Sequence, residues 1–166
     1  MKYFLLFVFV LFVTSFTAYS QKASCAKYKL VEIAALLKFN AGDFDTKVTG
    51  RCYGFSKSGE SETGAFKIYN WTKDEAALPD IIQYGTAKPT GIPYISYSTM
   101  NLEKYTHFKA EIKKLKFLFI SEETKDKDQT YFRYANGKYN LLIILNPTAG
   151  SYRYTFTIEE IRKPGI

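Results

Sequence analysis

In the second half of the chain, apolar and polar positions alternate with a period of two, in short runs broken by turn residues. That is the signature of half-buried β-strands. Phe66 and Ile68 alternate with Lys67, Tyr69 and Trp71, and Ile81–Tyr84 and Ile92–Thr99 form further apolar runs, separated by a Gly/Pro-containing stretch. Tyr152, Tyr154, Phe156 and Ile158 alternate with Arg153, Thr155 and Thr157. Between these, Asn136-Gly137 joins two strand-like runs, a strong hairpin signal. A two-residue turn there pairs Ala135 with Lys138, Tyr134 with Tyr139 and Phe132 with Leu141. Phe132, Tyr134, Tyr139, Leu141 and Ile143 then share one face, and Tyr131, Arg133, Asn140, Leu142 and Ile144 the other. Asn146–Gly150 turns the chain again, which makes a C-terminal three-stranded antiparallel meander.

The first half is less regular. Lys27–Phe39 is apolar on both alternating faces, which favours a doubly buried strand. Leu30, Ile33, Ala34 and Leu37 also trace a helical stripe, and Ala, Leu and Glu favour helix. The strand reading is the stronger by a small margin. Asn40–Asp43 reads as a turn, and Lys47–Phe55 as a strand bent at Gly50 and Gly54. Ser56–Thr63 reads as a polar loop, and Asp74–Asp80 as one helical turn. Asn101–Phe108 predicts a short helix. Phe108, Ala110 and Ile112, then Leu115, Phe117 and Phe119, predict a strand whose phase slips at Lys113-Lys114, the mark of a β-bulge. Ser121–Gln129 is a charged stretch expected to be a solvated loop. Seven to nine such strands with one or two short helices predict an all-β domain: an antiparallel β-sandwich, jelly-roll-like, or a barrel. No internal repeat or interdomain linker is evident.

Residues 1–20 stand apart. Lys2 precedes an unbroken apolar run, Tyr3–Val13, and Ala18 and Ser20 stand at the −3 and −1 positions of a cleavage before Gln21. This is the pattern of a secretory signal. As a helix the run spans roughly 16 Å against about 30 Å of hydrocarbon, too short for an anchor. The expectation is a signal over 1–20, one β-rich domain over 21–166, and a secreted or periplasmic protein with no membrane span after cleavage.

Composition is read with that segment set aside. The 166 residues include 14 Phe, 14 Tyr and one Trp, but seven of these aromatics lie in residues 1–20. At 46% apolar and 23% charged, the chain is too apolar for a disordered polymer. Cys25 and Cys52 are the only cysteines. In an exported protein the pair is expected to be a disulfide, closing a loop of about 27 residues worth about 3 kcal/mol.

The catalytic inventory is thin. His107 is the sole histidine, which excludes a His-rich metal site and reads as a surface or helix-end residue. No G-x-S-x-G, H-E-x-x-H or P-loop pattern occurs. Asp43 and Asp45 alternate as a calcium loop would begin, but the sixth and twelfth positions hold Val48 and Gly54 instead of Gly and Glu. The inventory implies no cofactor and no metal, and a non-enzymatic protein, although a carboxylate pair could still be brought together by folding.

What remains is basic and aromatic. With Lys2 set aside, the formal net charge of +7 becomes +6, which attracts anionic surfaces. Lys109, Lys113, Lys114 and Lys116 cluster, but on a strand odd and even positions point apart, so an edge-protecting role is the plainer reading. Export and the lack of a recognition motif speak against nucleic acid. Asn70-Trp71-Thr72 is a glycosylation sequon if the source is eukaryotic. Aromatics cluster at 69–71 and 94–97. A candidate binding face is Tyr69, Trp71, Tyr94 and Tyr97 with Lys67 and Lys73 at its rim, suited to stacking on sugar rings. The leading expectation is an exported binding protein for a glycan or for an envelope or extracellular protein. Alternatives are a β-barrel carrier of a small apolar ligand, a structural subunit of an assembly, and a carboxylate-dependent hydrolase.

Overall fold

The computed structural model describes residues 29–50, 54–73, 79–88, 90–125, 128–148 and 151–161. The expected signal segment, Cys25, Cys52 and residues 74–78 of the expected helical turn lie outside these residues.

Two short helices precede the first strand. Helix α1 spans Leu30–Ala35 and runs into a 3₁₀ turn, Leu36–Lys38. It buries Leu30, Ile33 and Ala34 while Val31 stays 49% exposed. The helical stripe therefore prevails over the expected strand, because a strand would have had to bury Val31 as well. Helix α2 spans Ala41–Thr49 and is capped by Asn40, whose Oδ1 accepts the Gly42 and Asp43 amides at 3.0 Å. The Asn40–Asp43 turn and the start of the Lys47–Phe55 strand are thus corrected to one helix: the Asn cap satisfies its first orphan amides, and Phe44 and Val48, four apart, supply its buried stripe.

Eight strands follow: β1 Ser56–Glu62, β2 Phe66–Lys73, β3 Asp80–Ala87, β4 Ile92–Thr99, β5 Leu118–Lys125, β6 Gln129–Ala135, β7 Tyr139–Thr148 and β8 Ser151–Glu160. Helix α3, Leu102–Lys114, lies between β4 and β5. Its Asn101 cap accepts the Lys104 amide at 3.0 Å. The helix runs past Phe108 because Phe108 and Ile112 form a buried stripe with spacing of four; Ala110, which completed the period-two pattern, is exposed.

All eight strands pair antiparallel in one sheet of order β1-β2-β3-β4-β8-β7-β6-β5. The chain is thus mostly β. The two ends of the sheet, β1 and β5, do not pair, so it does not close into a barrel. One sheet, rather than two stacked sheets, accounts for every described strand. The same order, a helix followed by a four-stranded meander, occurs twice (α2 with β1–β4, α3 with β5–β8), and the halves meet through their last strands. The polar β1 and the charged half of β5 replace two expected loops. Ladder hydrogen bonds need only backbone groups, so these edge strands form without an apolar alternation.

One face of the sheet carries the core. Trp71, Ile82, Tyr97, Phe156, Ile143 and Phe132 stand opposite one another across successive strands. A parallel row runs Tyr69, Tyr84, Ile95, Ile158, Leu141 and Tyr134. The helices pack on this face: Phe44 lies 4.8 Å from Trp71, and Phe108 lies 5.1 Å from Tyr97 and 5.0 Å from Phe156, centroid to centroid.

The C-terminal meander forms as its alternation predicts, with one change of register. Asn136 bonds to Tyr139 and Ala135 pairs with Asn140, so the turn is Gly137-Lys138 rather than Asn136-Gly137. Gly137 takes the positive φ of 78°. Each pairing moves by two residues, which leaves both faces as predicted. Strand β7 also continues through Asn146 and Pro147 to Thr148, and Pro147 lies beyond the last pair with β6, Thr130 with Leu145.

Candidate functional site

The structure does not assemble the six candidate residues into one surface. Trp71 and Tyr97 are each 1% exposed and face the helices. The Trp71 indole N–H donates to Asp45 Oδ1 at 2.5 Å, and the Tyr97 hydroxyl donates to Asp80 Oδ2 at 2.6 Å. Neither ring can meet a sugar. The odd positions of β2 point at the core, and that corrects the placing of Trp71 on a binding face. Tyr69 is half-buried on the same face, with Lys57 and Lys67 ammonium groups 5.5 and 5.4 Å from its ring centre. Lys67 lies 4.0 Å from Glu62, and Lys73 is half-buried opposite Asp80. Tyr94 stands on the opposite face.

That opposite face bears no described helix packed on it. Its central row is polar: Asn70, Gln83, Ser96 and Thr157 lead across the strands to Leu142 and Arg133. Gln83 Nε2 donates to Asn70 Oδ1 at 2.7 Å, and the hydroxyls of Ser96 and Thr157 (2.7 Å) and of Ser98 and Thr155 (2.8 Å) bond in pairs. Over β2, β3, β4 and β8 the polar groups thus bond largely to one another.

Toward β5 the arrangement changes. A cavity of about 330 Å³ opens over β6, β7 and β8, lined by Ile120, Arg133, Asn140, Leu142, Thr157 and Glu159 among others. This is the lower end of ligand-site volumes. Leu142 and Ile120 give apolar surface. Asn140 donates to Glu159 Oε1 at 2.9 Å and holds that carboxylate. Arg133 lies 3.7 Å from Glu123, and its side chain stays 44% exposed. Arg133 and Glu159 are on the strands flanking β7, opposite Leu142 and Asn140 respectively. The β-bulge between Phe119 and Ser121 falls at Ile120.

Arg133, Asn140 and Leu142 carried a legible signal, since the alternation of the meander assigns all three to one face. Glu159 continues the Arg153, Thr155 and Thr157 alternation onto the same face, whereas Ile120 carried no signal, because it enters through the bulge. Burial raises the phenols of Tyr94 and Tyr84 above the ordinary tyrosine range. Among the described residues no group of three or more His, Cys, Asp or Glu is placed to hold a metal ion. Asp43 and Asp45 lie in α2, where Asp43 accepts from Asn40 Nδ2 and Asp45 from Trp71. His107 sits beside Glu111 at 3.7 Å.

Comparison of the chain with known families, characterised proteins and solved structures finds no match.

Proposed function

We propose that the chain is an exported, non-enzymatic binding protein that takes a small glycan in the open-face cavity over β6–β8. The cavity itself carries the reading. It joins apolar surface at Leu142 and Ile120 to a guanidinium, an amide and a carboxylate at its margin. A sugar presents the matching chemistry: C–H faces that need apolar contact and paired hydroxyls that need donors and acceptors at fixed positions. The signal pattern of residues 1–20 supports export. The carrier alternative is weaker, because the closed barrel it requires is absent.

Calorimetric titration against a glycan panel tests the proposal. Arg133→Ala and Glu159→Ala should each weaken binding by tenfold or more, since each removes a charge-assisted hydrogen bond worth about 1.5–3 kcal/mol. Tyr69→Ala, on the other face, should leave affinity unchanged. Binding insensitive to both cavity variants would reject the site, and silence across the panel would reject the ligand class.

A further inference from the structure

A second surface lies at the junction of α3 and β5. Read as a strand, Lys109, Lys113, Lys114 and Lys116 diverge; the structure makes the segment a helix, and that brings them together. Lys109 and Lys113 are four apart, the spacing of one helical face, Lys114 ends the helix and Lys116 follows in its cap, and all four lysines are exposed. Among the described residues none of the four forms an ion pair. The helix ends in a tight cap: the Phe117 amide donates to the Ile112 carbonyl and the Lys116 amide to that of Lys113, both at 3.1 Å. Phe117 and Ile112 are buried beneath this turn, which fixes its lysines at the surface.

Directly after the cap come three consecutive exposed apolar residues on the unpaired edge of the sheet, Leu118 (72%) and Ile120 (60%) toward the open face and Phe119 (57%) toward the helix side, so the edge itself is the surface they share. The two groups are contiguous along the chain: only the buried Phe117 separates Lys116 from Leu118, and Phe119 packs edge-on to Tyr134 at 5.6 Å. Of the acidic residues on β5, Glu123 is engaged by Lys125 at 3.4 Å and Arg133 at 3.7 Å, and Glu122 stands one residue nearer the apolar run, opposite Phe132.

We infer that this corner docks on an anionic lipid surface, with the lysines at the headgroups and Leu118, Phe119 and Ile120 at the acyl boundary. Both halves of the patch are needed to choose this partner. A soluble polyanion would satisfy the lysines and gain nothing from three exposed apolar side chains. A second copy of the chain could cover those side chains, but a two-fold contact there would set each lysine cluster against its twin. A bilayer with acidic headgroups satisfies both. The surface is separate from the glycan cavity except at Ile120, which borders both.

Flotation of the full chain with vesicles tests the inference. Every variant keeps the same apolar N-terminal run, so the differences between variants carry the result. The parent chain should bind vesicles of phosphatidylcholine with phosphatidylglycerol far more tightly than phosphatidylcholine alone. Each of Lys113→Gln and Lys114→Gln should lower partitioning about fivefold, and less so at high salt. Leu118→Ser with Ile120→Ser should lower it at every salt concentration. Equal binding to both vesicle types would overturn the inference. So would heparin binding that survives the Leu118/Ile120 substitutions while vesicle binding is absent, or a dimer on size-exclusion chromatography that those substitutions dissolve.

Discussion

The ring of Tyr94 lies across Gly85 on the neighbouring strand, so close that a Cβ on Gly85 would meet Tyr94 Cζ at 2.2 Å. Phe66 completes the contact, edge-on at 6.0 Å. Tyr94 is therefore a packed element of the open face, built around a glycine. Gly85→Ala should displace the ring and destabilise the protein by about 1–3 kcal/mol. In a double-mutant cycle with Tyr94→Ala the two losses should be strongly sub-additive. Additive losses in urea titrations would show that the ring does not rest there.

Asp80 is only 2% exposed at its side chain and accepts from both Lys104 Nζ and the Tyr97 hydroxyl at 2.6 Å. The carboxylate ties α3 to the sheet. Asp80→Ala should cost about 3 kcal/mol, because the partners it leaves must find other company in a largely buried place. A cost below about 1 kcal/mol in chemical denaturation would mean that the tether is not a folding determinant.

Trp71 is the only tryptophan, and its indole is buried against Phe44 and bonded to Asp45. Its emission should be blue-shifted and insensitive to iodide until the protein unfolds. Asp45→Ala should cost about 1.5–3 kcal/mol, the range for a hydrogen bond to a charged group. Strong iodide quenching of the folded protein would contradict the burial.

Lys116 adopts the left-handed conformation, φ 56°, at a helix end where glycine is at ease. Lys116→Gly should therefore raise stability by about 0.5–1 kcal/mol while removing one charge from the basic corner. A higher midpoint together with weaker binding to anionic vesicles is the expected pair of results. A stability loss would argue against the cap.

Burial raises the phenols of Tyr84, Tyr94 and Tyr134. Their neutral forms are favoured in the folded state, so the unfolded chain gives up these protons first as pH climbs. The associated stability is fully present below about pH 10 and is lost as pH rises through the folded values. Absorbance titration should show a late-ionising class of tyrosines that merges with the rest on denaturation. A single class in the folded protein would contradict the burial of these rings.

Much of the sheet was legible because its middle strands obey a simple rule. One face of β2, β4, β7 and β8 meets the helices, and alternation records that directly. A register error of two residues in the β6–β7 hairpin did not disturb the assignment of faces, since side-chain direction repeats every two residues. The helices were harder to read. Phe108, Ala110 and Ile112 satisfy both a two-residue and a four-residue period, and only the exposure of Ala110 separates them. The misreading also hid the basic corner, because the same lysines diverge on a strand and converge on a helix. The aromatic cluster at 69–71 and 94–97 misled for a different reason: composition marks such residues as valuable without saying which side of the sheet they face.

By itself, the sequence determined which segments alternate and which side chains share a face in the C-terminal meander. These follow from local spacing. The tertiary structure decided the pairing of β4 with β8, the two edge strands, the burial of Trp71 and the cavity over β6–β8. Backbone hydrogen bonds join edge strands whatever their side chains. Which face of a sheet becomes the interior depends on where distant helices land, and no local window of the sequence contains that contact.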